Sequence, residues 1–357
     1  MPDELGKART MRKDIRTVTV GVDGSRAGLD AADWAAREAE RRRLTLRLLH
    51  ASGEPAASAP DGESVAVPGD GSGSGAGAVR GSAPASAFGS VSASVPRPRA
   101  RPRPVSGASA ASAGDSRRGI LDRAAIQLSY AHPTLEIAAR RTDTPALPAL
   151  LEAAKESEAL VLGSRGFNGF TGFLVGPVAL AATAAAACPV VLVRAGELPT
   201  DERVPVDADD DPSASAHAPY LPVVLGLDLD DPADELIGHA FDAAGVRAAP
   251  LHVVHTWTLP PLRDCADGAR TPAGTAGQQD ARERSLAAVL GPWRHKFPET
   301  EVSEEVVYGH AGHHLLKAST RAGLLVVGRA SADRGLGRAA DSLVHHSTCP
   351  VAVVPHG

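Results

Sequence analysis

Three glycines, Gly163, Gly166 and Gly176, follow one apolar run and precede a helical stretch read as Val178 to Ala187. Glycine lets a backbone turn its N–H groups toward an anion with no Cβ in the way, and a helix N-terminus favours the same charge. The chemistry this Gly-x2-Gly-x9-Gly spacing supports is the holding of phosphates. Arg165 could bring a cation into the segment, and an exposed surface arginine is an equally good reading. Well upstream, Asp23 closes another apolar run, Val20-Gly21-Val22-Asp23, ahead of Gly24-Ser25. A carboxylate there offers hydrogen-bond acceptance rather than anion binding.

The elements that must position these groups occur twice. Ala159 to Val193 and Leu324 to Val354 both read as an apolar run ending in Gly, a loop, a helical stretch, then Cys-Pro-Val opening another apolar run. The likeness extends upstream: Thr17 to Asp23 lies over Pro222 to Asp228 without gaps, Leu46 to His50 over Leu251 to His255, and Leu147 to Leu151 over Gly312 to Leu316. Between the first two runs, Gly28, Ala32, Ala35, Ala36 and Ala39 match Ala233, Ile237, Ala240, Phe241 and Ala244, at helical spacing. Each copy therefore reads as five strands alternating with four helices. Short apolar runs separated by helices predict a parallel sheet covered on both faces. The expected fold class is α/β: two tandem doubly wound, Rossmann-like domains. In such sheets ligands sit outside the carboxyl ends of the strands. Asp23 follows the first strand of its copy and Gly163 the fourth.

A chain of 357 residues accommodates about two domains. The expected boundaries are a disordered N-terminus (1–14), a first domain (15–195), an acidic, solvated linker (196–219) and a second domain (220–357). Within the first, residues 53–118 are almost wholly Ser, Ala, Gly and Pro, with an Arg-Pro stretch from Pro96 to Pro104. This composition predicts a disordered insertion. The net charge of −5 forms no basic stripe, so nucleic acid is not favoured. No run approaches the roughly 20 apolar residues of a membrane span. Cys188, Cys265 and Cys349 have no metal-ligand spacing, so a cytoplasmic protein with reduced thiols is expected. The paired histidines His252/His255, His313/His314 and His345/His346 lack a completing Cys or carboxylate set, so no metal is assigned. His50 and His255 occupy equivalent strand ends, where a packing or turn role is simplest.

Val20 to Ser25, the three glycines and Cys188-Pro189-Val190 together resemble the first strand, nucleotide loop and last strand of the universal stress protein family. The likeness covers both copies, as in the tandem actinobacterial type. Family members that bind ATP place the matching Asp at the adenosine end and the glycine loop on the phosphates. The resemblance implies a first-domain site at Val22, Asp23, Gly24, Ser25, Gly163, Arg165, Gly166, Gly176, Pro177 and Val178, holding ATP, with or without Mg. Pro177 departs from the family's Ser or Thr. It removes a hydroxyl and a backbone N–H, which costs on the order of 1–3 kcal/mol if both would meet phosphate. The second copy departs further. Leu229-Asp230 replaces Gly-Ser, the loop between Gly328 and Gly337 is four residues shorter, Ser331 stands where the second Gly belongs, and Asp230, Asp231 and Asp333 add negative charge. No nucleotide is expected there; the second site is read as empty or as binding something else.

The function implied is an ATP-binding regulatory, stress-response protein acting on an unidentified protein partner. A nucleotide-independent scaffold is the alternative. A slow ATP hydrolase has least support, because no catalytic base or Walker loop is visible. The family commonly dimerises through its last strands, here Val190 to Arg194 and Val351 to Pro355. This implies either an internal pseudo-dimer or a homodimer.

Overall fold

The computed structural model describes residues 16–53, 109–168, 172–205, 218–259, 272–330 and 335–357. The first copy runs β1 (Thr17–Gly21), α1 (Arg26–Arg42), β2 (Thr45–Gly53), α2 (Ser109–Ala131), β3 (Ile137–Pro145), α3 (Ala146–Lys155), β4 (Ala159–Asn168), β5 (Gly172–Leu174), α4 (Pro177–Ala185) and β6 (Val190–Arg194). The second runs β7 (Val223–Gly226), α5 (Asp234–Arg247), β8 (Leu251–Trp257), α6 (Pro272–Lys296), β9 (Val302–Tyr308), α7 (Ala311–Ser319), β10 (Leu324–Arg329), α8 (Gly337–His346) and β11 (Val351–Pro355). The described residues of both copies, apart from 109–113 at the start of α2, lie in one compact unit.

Ten strands lie in the order β3-β2-β1-β4-β6-β11-β10-β7-β8-β9, and β5 pairs only with β4. Pairing is parallel within each copy, apart from the β4–β5 hairpin. Where the copies meet, β6 and β11 run antiparallel, with Val191 opposite Ala352. Parallel strands covered on both faces must be apolar throughout, and Val18, Val20, Leu46, Leu48, Leu225 and Leu251 are all buried. Aromatics are few, so Ala, Val and Leu fill the space between sheet and helices, with Trp34 and Phe241 as the bulky exceptions.

Three local departures from the sequence expectations have physical causes. The linker is not wholly solvated: Pro199–Glu202 forms a turn of 3-10 helix, and Glu202 is 1% exposed. Its two carboxylate oxygens accept from Arg37 Nη2 at 2.9 Å and Arg41 Nη2 at 2.8 Å on α1, which offsets the cost of burial. Asp209 to Asp211 lie outside the described residues. The insertion's last residues are helical from Ser109, where the run is rich in Ala, the best helix former; residues 54–108, like the N-terminal residues 1–15, lie outside the description. Finally, the helix read as Val178 to Ala187 is Pro177–Ala185, because proline with its fixed φ suits the first helical position. Among the described residues, no helix is long and apolar enough to cross a membrane.

Candidate nucleotide site

The carboxyl ends of the strands carry the same turn in both copies. In the first, Asp23 Oδ1 accepts from Ser25 N at 2.9 Å and from the Ser25 hydroxyl at 2.5 Å. Ser25 caps α1 by accepting from Gly28 N at 3.1 Å. Between them Gly24 adopts φ +84°, which favours glycine. In the second copy Asp228 Oδ1 accepts from Asp230 N at 3.0 Å, but no side chain caps α5. Each turn is held from behind by a histidine. His50 Nδ1 donates to Val22 O at 2.7 Å, and His255 Nδ1 donates to Leu227 O at 3.0 Å. In the neutral imidazole these bonds place the proton on Nδ1 and leave Nε2 an acceptor. The repeat makes the pair equivalent, and the bonds supply the turn role.

The glycine segment of the first copy is not a loop throughout. Gly163 belongs to β4 and pairs with Val193. A Cβ on it would lie 2.3 Å from Ala27 O, so glycine is required there for β4 to approach the first turn of α1. The strand then continues to Asn168 and returns as β5, with Arg165 opposite Leu174 and Phe167 opposite Phe173. Gly166 falls between these two pairs, at an irregularity of the β4–β5 ladder rather than in a free loop. The Phe and Leu residues on both arms suit a strand pair. Gly176 is the N-cap of α4 with no side-chain hydrogen bond; Pro177 and Val178 follow it, exposed. Proline has no N–H, so the first turn of α4 presents one donor fewer.

A further difference was not foreseen. Leu46 pairs with Ile137 in one copy and Leu251 with Val302 in the other, which fixes the register of the repeat. Ile120 on α2 and Ser285 on α6 stand the same distance before those strand residues, and so are equivalent. Ile120 sits on the first turn: a Cβ on Gly24 would lie 2.9 Å from its Cδ1. Ser285 instead lines an open cleft of about 910 Å³ at the carboxyl ends of the second copy's strands. Extending the repeat alignment through the helix to Pro133 and Pro298 would have exposed this pair.

The cleft lies between the Asp228 turn and the start of α8, where Gly337 and Arg338 line it. Trp257 forms part of its wall. Its Nε1 donates to Gln279 Oε1 at 2.8 Å, and Tyr308 meets the ring edge-on at 5.1 Å. The Arg282 guanidinium lies 4.4 Å from the Trp257 ring centroid. His255, 4% exposed, lines the cleft, and no hydrogen-bond partner for its Nε2 occurs among the described residues. In the first copy Nε2 of His50 is sealed from solvent and also without a partner among the described residues. Ser331 and Asp333 lie outside the described residues.

His252 bonds Ser303 and Glu305, both at 2.9 Å, on the neighbouring strand β9. Among the described residues, no three His, Cys, Asp or Glu side chains cluster as ion ligands. Burial pushes the Cys349 thiol up to about 12, which leaves it protonated and unreactive at neutral pH. Cys188 is also buried; Cys265 lies outside the described residues.

Fold and site together define a doubly wound α/β protein with duplicated strand-end turns and a ligand-sized cleft in its second half. The profile of the universal stress protein family matches residues 14–194 and 219–355. The chain belongs to that family, with two copies of its domain. One similar relative, a universal stress protein of Mycobacterium bovis, is 30% identical over 219 residues, which span 58% of this chain and 65% of the relative. Another, from Mycobacterium tuberculosis, is 25% identical over 327 residues, covering 92% of this chain and 89% of its own length. Among solved structures, a universal stress protein from Archaeoglobus fulgidus matches the fold with a TM-score of 0.55 at 11% identity, covering 96% of this chain and 100% of that one.

Proposed function

We propose that the protein is an adenine-nucleotide-binding regulatory protein whose principal seat is the cleft of the second copy. The carrying observation is the cleft itself, about 910 Å³ between the Asp228 turn and the N-terminus of α8. That volume suits a ligand of nucleotide size. The adenine class comes from family resemblance; the choice of copy comes from geometry. The first copy keeps the spacing, and the second keeps the space. Ile120 over the Gly24 turn opposes seating of the adenosine end in the first copy, where ATP was expected, and the β4–β5 hairpin around Gly166 and the missing N–H of Pro177 oppose strong phosphate binding. Asp228 and Gly337 take over the parts assigned to Asp23 and Gly176.

The test is calorimetric titration of the full chain with AMP and with Mg-ATP. The reading expects one site per chain, lost in Ser285→Ile, which rebuilds the first copy's plug at an exposed position, and kept in Asp23→Ala. Binding that survives Ser285→Ile and disappears in Asp23→Ala returns the seat to the first copy. Absence of heat with every nucleotide favours a nucleotide-independent scaffold, the reading that Pro177 supports.

A further inference from the structure

The walls of the cleft are unequal in chemistry. On the side of the Asp228 turn the side chains are hydrogen-bond acceptors: Asp228, Asp230, Asp231 and His255. His255 is the informative one. Its Nδ1–H is committed to Leu227 O, so the Nε2 lone pair is what it offers to the cleft. A nearly buried acceptor with no partner among the described residues calls for an O–H or N–H donor on whatever enters. Phosphate at neutral pH is an acceptor and meets none of these groups favourably.

Cations do not redress the balance. Arg282 is already held against Trp257, and its Nη1 donates to Gln278 O at 3.3 Å within its own helix. Among the described residues Arg338, at the start of α8, is the other arginine lining the cleft, and His310 and His356 line it as well. One guanidinium and one helix N-terminus can accommodate a single phosphate. A triphosphate adds charge that three carboxylates then oppose.

We infer that the second-copy cleft takes an adenosine ligand carrying one phosphate or none, and discriminates against the triphosphate. This rests on the adenine-nucleotide reading above. The ligand's hydroxyl and amine donors face Asp228 and His255, and a lone phosphate faces Arg338. Asp230 and Asp231 act as the charge filter.

Titration of the full chain with adenosine, AMP and Mg-ATP tests it, counting as cleft binding only the heat that Ser285→Ile removes. AMP is expected to bind at least about tenfold more tightly than Mg-ATP. The double variant Asp230→Asn, Asp231→Asn should bring that ratio toward one by strengthening ATP binding. Raised salt should narrow the ratio in the native chain and leave it unchanged in the variant. Cleft binding of ATP as tight as that of AMP overturns the inference and leaves the adenine reading standing. A ratio unaltered by the double variant overturns the role of the two carboxylates. Failure of all three ligands to bind overturns both readings.

Discussion

Glu197 shows how far a single position can depart from its appearance in the sequence. It follows β6 in what looks like solvated linker, yet it is buried, with Arg194 Nη2 at 3.4 Å. Burial raises its carboxyl to about 7 against the pull of Arg194, with Asp201 and Glu202 adding to the rise. The folded chain therefore keeps a proton that the unfolded chain releases near the ordinary Glu value of about 4.3. The contribution to stability is complete below that value and is lost as pH rises through about 7. The melting temperature should fall between pH 5 and pH 7.5, and Glu197→Gln should flatten that slope. An unchanged slope in the variant would assign the pH dependence elsewhere. At this scale the sequence was informative where partners are neighbours, as in the Asp23-Gly24-Ser25 turn, and where the repeat supplied a twin, as for His50 and His255. It was silent on Ile120 against Gly24 and on Glu202 against Arg37 and Arg41, because those contacts join segments far apart in the chain.

Between elements, α1 and α5 meet across the junction of the copies through a buried charge network. Arg247 Nη2 donates to Glu38 at 2.7 Å, Arg42 Nε donates to Glu38 at 2.5 Å, and Arg42 also pairs with Asp242. Burial alone would raise the Glu38 carboxyl, but Arg247, Arg42 and Arg41 outweigh it and hold it well below the usual carboxylate range. Its contribution is therefore present above the ordinary Glu value and lost as pH falls below it, a window distinct from that of Glu197. Removing one partner from a buried pair leaves an uncompensated charge and costs about 3–5 kcal/mol. Arg247→Met should lose roughly this much in denaturant unfolding, and adding Glu38→Gln should recover part of it. A loss below about 1 kcal/mol would mean that the remaining arginines satisfy Glu38 unaided. The alternation of helices and strands was legible from periodicity. The β4–β5 hairpin was not, since glycine spacing alone does not separate a phosphate loop from a pair of short antiparallel strands.

Across the whole molecule, the strand order reads the same outward from either side of the β6–β11 pair. Each copy's last strand covers the edge of the other, leaving β3 and β9 as the sheet's edges. This arrangement gives one chain two strand-end turns of the same plan and different contents. Duplication frees one copy to drift, and the glycine pattern pointed to the second as the drifted one. Space was invisible to that pattern, because it depends on the side chain at the position of Ile120 and Ser285 and on a wall built from Trp257 and Arg282. Hydrogen–deuterium exchange with and without saturating AMP tests the central claim most directly. Slowed exchange is expected at Gly226 to Asp231 and at Gly335 to Ala340, with Gly21 to Ser25 and Gly176 to Leu180 unchanged. Protection of the first-copy segments alone would contradict the account.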